Sequence, residues 1–154
     1  MDAYVKLYRR RIFKGAWLLV ILLISSCSIE PSPIEYGKDG CSWCSMNIVD
    51  KQHAAEFVTS KGKSYKFDAI ECMVNAIQDR GPDNIAILLV ADYTNPGRLT
   101  PAHTATYLIS KQIKSPMGAF LTAFNQETDA ITTQNSKGGE LYAWQDLHEI
   151  IGSQ

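Results

Sequence analysis

The chain has 154 residues, 45% of them hydrophobic and 20% charged, with a formal net charge of −1. That length supports one main domain. The charge balance excludes the basic, aromatic-laced face that a nucleic-acid partner needs.

The first stretch is not part of the domain. Lys6, Arg9, Arg10, Arg11 and Lys14 make a positive opening, and Ala16–Ile24 is an uncharged apolar run. The run is too short for a membrane-spanning helix, which needs about 20 residues. It fits the apolar region of a signal peptide. Ile24-Ser25-Ser26-Cys27 follows at once and resembles a bacterial lipobox. The resemblance implies cleavage before Cys27 and a lipid on its sulfur. The alternative is an ordinary signal peptide cut near Ser26, with Cys27 free. The adjacent arginines lack the rest of a twin-arginine signal. Residues 1–26 therefore read as a lipoprotein signal peptide, 27–39 as a tether and 40–154 as the domain. Without the signal peptide the chain keeps ten basic and fifteen acidic residues, a net of −5. Pro31, Pro33 and Gly37 give the tether its turn-rich character.

Next comes Cys41-Ser42-Trp43-Cys44-Ser45-Met46, the pattern C-x-x-C-x-M. Thiolate and thioether sulfur are soft donors, and soft donors select copper(I) over hard cations. A Cys-x-x-Cys alone also serves zinc, redox dithiols and disulfides. Zinc has little use for a thioether, so Met46 turns the reading toward copper. The plain alternative is a structural disulfide, or a bare turn with Met46 in the core. With Cys27 lipidated, Cys41, Cys44 and Cys72 remain. Three thiols cannot all pair within one chain, which suits metal or redox work better than a disulfide scaffold.

Ala54–Val58 reads as a strand, Lys61–Lys63 as a turn and Ser64–Phe67 as a second strand. Asp68 is placed as a helix N-cap with Glu71 three residues on, and Ile70, Met73, Val74 and Ile77 recur at helical spacing. This helix ends near Arg80-Gly81-Pro82. Ile85–Val90 is a buried strand, and 92–101 a loop. Ala105–Ile109 is a strand, and Ser115–Gly118 breaks the pattern. Ala119–Phe124 reads as a short helix, Ala130–Thr133 and Glu140–Trp144 as strands, and Asp146–Ile151 as a last helix. Gly62, Tyr65, Phe67 and Ile70 share their spacing with Gly139, Tyr142, Trp144 and Leu147, which suggests one unit used twice. Met46 lies upstream of the first unit and Met117 upstream of the second, so two methionine loops are expected to face one site between the halves.

In order along the chain stand Cys41-x-x-Cys44-x-Met46, Phe67-Asp68 with Cys72-Met73 after it, and Ser115-Pro116-Met117-Gly118. Ala119-Phe120-x-x-Ala123-Phe124 follows, then Gly138-Gly139 leading to an aromatic strand and Asp146-Leu147. This ordered set resembles the nitrous oxide reductase accessory protein family, NosL, over Gly40 to Leu147 and the lipobox. The resemblance implies an α+β fold of two similar ββα-type halves, about 40–82 and 83–154, forming one compact domain. It implies a copper(I)-binding lipoprotein, held at a bacterial membrane and facing the periplasm, that acts as a metallochaperone. It implies a copper-dependent client, nitrous oxide reductase, together with that enzyme's membrane assembly factors. Cys44 and Met46 match the family's most typical pair, and Met117 the Met of its Met-Gly motif. Cys41 matches only members with a second upstream Cys. Ser45 stands where many relatives carry Gly.

The candidate metal ligands are thus Cys41, Cys44, Met46 and Met117, with Cys27 the lipidation site. Met73 fits the apolar stripe of its helix. Cys72, beside it, points about 100° away. Buried Cys is often only a small hydrophobe. A lone His53, His103 or His148 is more often structural than ligating, and Trp43 either shields the sulfurs or meets a partner. No catalytic triad, phosphate loop or carboxylate pair is present, so no enzyme activity is expected. Two other classes stay open: a thiol–disulfide oxidoreductase using Cys41 and Cys44, and a metal-free lipoprotein adaptor with a structural disulfide. Asn47-Ile48-Val49 is a poor helix start, which weighs against the first of these.

Overall fold

A computed structural model describes residues 29–152. The signal peptide and Cys27 lie outside the described residues. The elements run β1 (Ala55–Thr59), β2 (Ser64–Phe67), α1 (Ile70–Arg80), β3 (Ile85–Ala91) and β4 (Leu99–Pro101). Then come β5 (Thr106–Ile109), β6 (Leu121–Phe124), α2 (Glu127–Lys137), β7 (Glu140–Tyr142) and α3 (Leu147–Gly152).

Two antiparallel sheets form, ordered β2-β1-β3-β4 and β6-β5-β7. In each, the first strand of a β-β-α-β unit lies at the centre, paired on one side with the second strand and on the other with the strand after the helix. The α+β fold of two similar halves is therefore present. The repeat is registered differently from the glycine–aromatic spacing. The counterpart of β2–α1 in the second half is β6–α2, whereas Gly139–Leu147 spans β7 and the turn into α3.

The main core spans both halves, and a smaller cluster of Leu108, Ile113, Phe124 and Ala130 lies within the second. Phe57, Phe67, Ile70, Met73, Val74, Ile77 and Val90 pack in a single cluster with Tyr107, Leu121, Trp144, Leu147 and Ile151. Helix α1 contributes through its apolar stripe, and each such side chain is worth about 1.5–3 kcal/mol on burial. It packs on α3, and Gln78 Nε2 donates to the His148 carbonyl at 2.7 Å. The first half runs past residue 82 through β3 and β4, and between these strands Tyr93 N–H donates to the Ala123 carbonyl at 2.9 Å, a further tie to the second half.

Two segments differ from the sequence expectation. Ala119–Phe124 was expected as a short helix, but residues 121–124 form β6, buried throughout. A short apolar run lacks the periodicity that separates strand from helix. Ala130–Thr133 was expected as a strand but lies inside α2. Its β-branched residues are tolerated because Thr132 Oγ1 bonds back to the Thr128 carbonyl at 2.8 Å. Glu127 and Asp129 suit the positive end of the helix dipole. Gly138 and Gly139, both at positive φ, then turn the chain into β7. A Cβ on Gly139 would lie 2.2 Å from the Ile109 carbonyl oxygen, so only glycine lets β7 approach β5 there.

The segment before the sulfur loop is fastened to the first sheet from Ser32 onward. Alternation along β1 sends Glu56 to the face opposite Phe57. The Glu56 carboxylate is buried there and accepts from Ser32 N–H at 2.8 Å and from the Ser64 hydroxyl. Lys66 Nζ bonds the Pro33 carbonyl at 2.6 Å and the Asp39 carboxylate at 2.7 Å.

Candidate metal centre

The sulfur loop is built as a small hairpin. Gly40 and Asn47 form an isolated antiparallel bridge, and Cys41 N–H donates to the Met46 carbonyl at 2.7 Å. Ser45 N–H donates to the Cys41 carbonyl at 3.0 Å, closing the tight turn. Ser42 N–H donates to the Lys66 carbonyl at 2.8 Å and so pins the loop to the end of β2. That end runs directly into Asp68 and the first turn of α1.

The result is a cluster. One sulfur or carboxylate oxygen from each of Cys41, Cys44, Asp68 and Cys72 lies within 4.8 Å of the other three. The three cysteines are free thiols; Cys41 and Cys72 are buried and Cys44 is partly exposed. The Cys44 thiol donates to Asp68 Oδ1 at 3.4 Å. Asp68 is therefore not the expected N-cap. Ala69 holds that position without a side-chain bond, and the Asp68 carboxylate faces the sulfurs instead.

The thiols differ in acidity. The Cys72 thiol hydrogen-bonds the Cys41 sulfur, and this above all draws Cys41 down to about 6, against the cost of burial. Backbone amides of Cys44 and Asp68 also favour the Cys41 thiolate. The same hydrogen bond pushes Cys72 up, with burial adding to it. Burial raises Cys44 first, and the neighbouring Cys41 adds to the rise. The site thus holds one thiol made more acidic and two made less so. Three thiols and a carboxylate form a donor set that soft and borderline metal ions take.

The methionines stand differently. Met46 is 44% exposed and Met117 is 42% exposed, both on loops. Ser45, just before Met46, has φ +65°; Gly118, just after Met117, has φ +82°. The Met117 loop is bound to the first turn of α1. The Ser115 hydroxyl donates to Glu71 Oε1 at 2.5 Å and Ala119 N–H donates to the same oxygen at 3.3 Å. Second-half chain is thereby held at Glu71, the neighbour of Cys72. Met73 is fully buried in the core, as expected.

The histidines take structural places. His53 is buried, with Nδ1 2.8 Å from Asp50 Oδ2 and an edge-on contact to Tyr93. His103 and His148 lie edge-on to Trp144. Sequence reasoning placed Cys41 and Cys44 in the candidate site, left open whether Cys72 also binds metal, and read Asp68 only as a cap. Asp68 lies just before the extended N-cap Ala69, outside the helix, so no helical spacing signalled its approach to Cys72.

The fold and site together define an α+β protein of two β-β-α-β halves, with a clustered-thiol site where the first half's loop meets its helix. The chain belongs to the NosL family, whose family model matches residues 33–151. The crystal structure of the copper chaperone NosL from Shewanella denitrificans has the same fold. The TM-score is 0.68 at 19% identity, over 77% of this chain and 96% of that one. No curated protein sequence matches this chain.

Proposed function

We propose that this protein is a copper(I) chaperone rather than an enzyme, a lipoprotein anchored through Cys27 and facing the periplasm. It binds the ion through Cys41, Cys44, Met46 and Met117 and hands it to a copper-dependent client, nitrous oxide reductase, in concert with that enzyme's membrane assembly factors. The observation that carries the reading is the gathering of three free thiols beside a loop with an exposed thioether. Membership of the NosL family supports it. Transfer by ligand exchange needs an accessible face where a client's sulfur can enter as the chaperone's leaves. Partly exposed Cys44 and the exposed Met46 two residues on supply such a face.

The oxidoreductase alternative fits the geometry less well. The thiol whose pKa is lowered, Cys41, is only 4% exposed, so an incoming disulfide could not reach it. Reactive redox cysteines sit at accessible, electropositive positions such as helix N-termini. The loop holding Cys41 and Cys44 opens no helix.

Titration of the reduced protein with copper(I) against a competing chelator tests the proposal. One ion bound per chain, lost in Cys44→Ala, is the expected result. Insulin reduction without copper binding would turn the reading to redox chemistry, and neither activity would leave the adaptor.

A further inference from the structure

The proposed donors leave one thiol of the cluster unused. Cys72 is fully buried, rises from the first turn of α1 and hydrogen-bonds Cys41. It belongs to a different element from the Cys-x-x-Cys loop, so the thiols converge from two independent supports. With Cys41 and Cys44 it makes a set of three sulfurs whose positions already suit one small ion.

We infer that Cys72, Cys41 and Cys44 form an inner, three-thiolate position for copper(I), beneath an outer position that Cys44 shares with the thioethers of Met46 and Met117. This inference rests on the copper(I) reading above. The burial gradient is its first support: Cys41 and Cys72 are 4% and 0% exposed, whereas Met46 and Met117 are 44% and 42% exposed. A client's sulfur can meet an ion held at the outer donors but not one held by Cys41 and Cys72 alone. Cys44, of intermediate exposure, is the one thiol able to take part in both positions.

Donor chemistry is the second support. Three thiolates offer copper(I) three anionic soft ligands, whereas the outer set offers one thiolate with two neutral thioethers. The inner position is accordingly the tighter, and the outer one the faster to exchange. The positive end of α1 adjoins the cluster and favours the negative charge that three thiolates bring. Binding there is simple exchange: the ion replaces the thiol protons, which leave to water, and copper stays copper(I) throughout. Asp68, a hard oxygen donor, is poorly suited to copper(I); its hydrogen bond holds the Cys44 thiol in place before the ion arrives and displaces the proton.

The test uses the lipid-free mature chain, reduced, with one equivalent of copper(I). Chelator competition gives affinity, and X-ray absorption at the copper edge counts sulfur ligands. A Met46→Leu, Met117→Leu background removes the outer thioethers, so that the thiols are what is counted. That background is expected to retain copper with three sulfur ligands. Adding Cys72→Ser, or Cys72→Ala in a second variant, should leave two and raise the dissociation constant at least about tenfold. Melting temperature without copper separates this from a folding defect, because a core cysteine would alter stability but not the sulfur count. Two results overturn the inference while leaving copper binding intact. In one, the background loses copper although the parent binds it. In the other, the Cys72 variants keep the background's affinity and sulfur number. A parent chain that binds no copper(I) at all overturns the copper reading and this inference together.

Discussion

Ser45 occupies a backbone position that penalises every residue but glycine. Its φ of +65° is left-handed, which costs a residue with a Cβ about 1–2 kcal/mol. The loop accepts the cost because hydrogen bonds at Cys41 and Ser45 close the turn between Cys44 and Met46. Ser45→Gly is expected to relieve that strain and raise stability by about 1 kcal/mol or less, since glycine also gains freedom when unfolded. Urea unfolding measures it, and a loss of stability would show that the turn is not strained. The methionines allow a matched comparison. Met→Leu nearly conserves volume and removes only the thioether, typically costing under about 1.5 kcal/mol of stability. In a Cys72→Ala background, which removes the inner position, Met46→Leu and Met117→Leu should each weaken copper(I) binding at least about tenfold, equivalent to about 1.4 kcal/mol. Met73→Leu should change it little, because Met73 is fully buried core. If all three behave alike in chelator competition, the thioethers are not donors. At this scale softness and spacing pointed to Cys41 and Cys44, which the structure gathers in one cluster. Met46 and Met117 lie exposed on their loops. Cys72 was left open because a helical Cys also reads as core, and Asp68 was hidden because an Asp before a helix reads as a cap. Which way each side chain turns depends on the loop packed above it.

Helix α1 and the Met117 loop are joined through a single carboxylate. Glu71 is buried, accepts from Ser115 and Ala119, and has its second oxygen without a hydrogen-bond partner. Burial is the main reason its carboxyl titrates above the usual 4.5; the Ser115 hydrogen bond and the nearby His53 oppose the rise. A raised folded-state value favours the neutral form. The stability it contributes is complete below the unfolded value near 4.5 and is lost as pH climbs through the folded value. Glu71→Gln keeps a neutral acceptor for both donors. Its melting temperature should therefore fall less than the parent's as pH is raised from about 4.5 toward neutral. Glu71→Ala leaves the Ser115 hydroxyl and Ala119 amide unpaired and should cost about 1–3 kcal/mol at any pH in that range. A Gln variant with the parent's full pH dependence would mean that other groups carry it. Elements with strong local signals were legible: β1, β2, α1 and β3 follow from alternation, helical stripe and the Gly81 stop. β6 and α2 were not. A short strand buried throughout has no period to detect. A surface helix with little buried beyond Ala130 offers almost no apolar stripe, and its threonines favour strand. The duplication was legible as an idea but not in register, since the equivalence lies in strand pairing rather than in the glycine–aromatic spacing.

At the scale of the molecule, the two halves share the main core, and the domain is fastened to its own leading segment. Ser32 is bonded to Glu56, and Lys66 to Pro33 and Asp39, so the domain's hold on the chain begins at Ser32. The few residues from Cys27 to Ser32 span at most about 18 Å even when fully extended. A lipid on Cys27 would therefore keep the sulfur loop near the membrane surface, within reach of the proposed membrane assembly factors. None of the helices among the described residues is long and apolar enough to cross a membrane. The motive for the lipid is the Ile24-Ser25-Ser26-Cys27 box directly after the apolar run. One acyl chain binds membranes only marginally, so firm anchoring needs more than one. The mature wild-type protein should accordingly carry Cys27 at its N-terminus with a mass increase of several acyl chains, and should fractionate with membranes. Cys27→Ser should carry no lipid, and either appear in the soluble fraction or remain as the unprocessed precursor at the membrane. Copper(I) affinity of the reduced soluble domain should be the same with or without the anchor, because the thiol cluster draws on no residue before Cys41. Mass spectrometry of the mature N-terminus decides the matter. An unmodified wild-type N-terminus located downstream of Cys27 would rule out the anchor and remove the basis for confining the chaperone to the membrane.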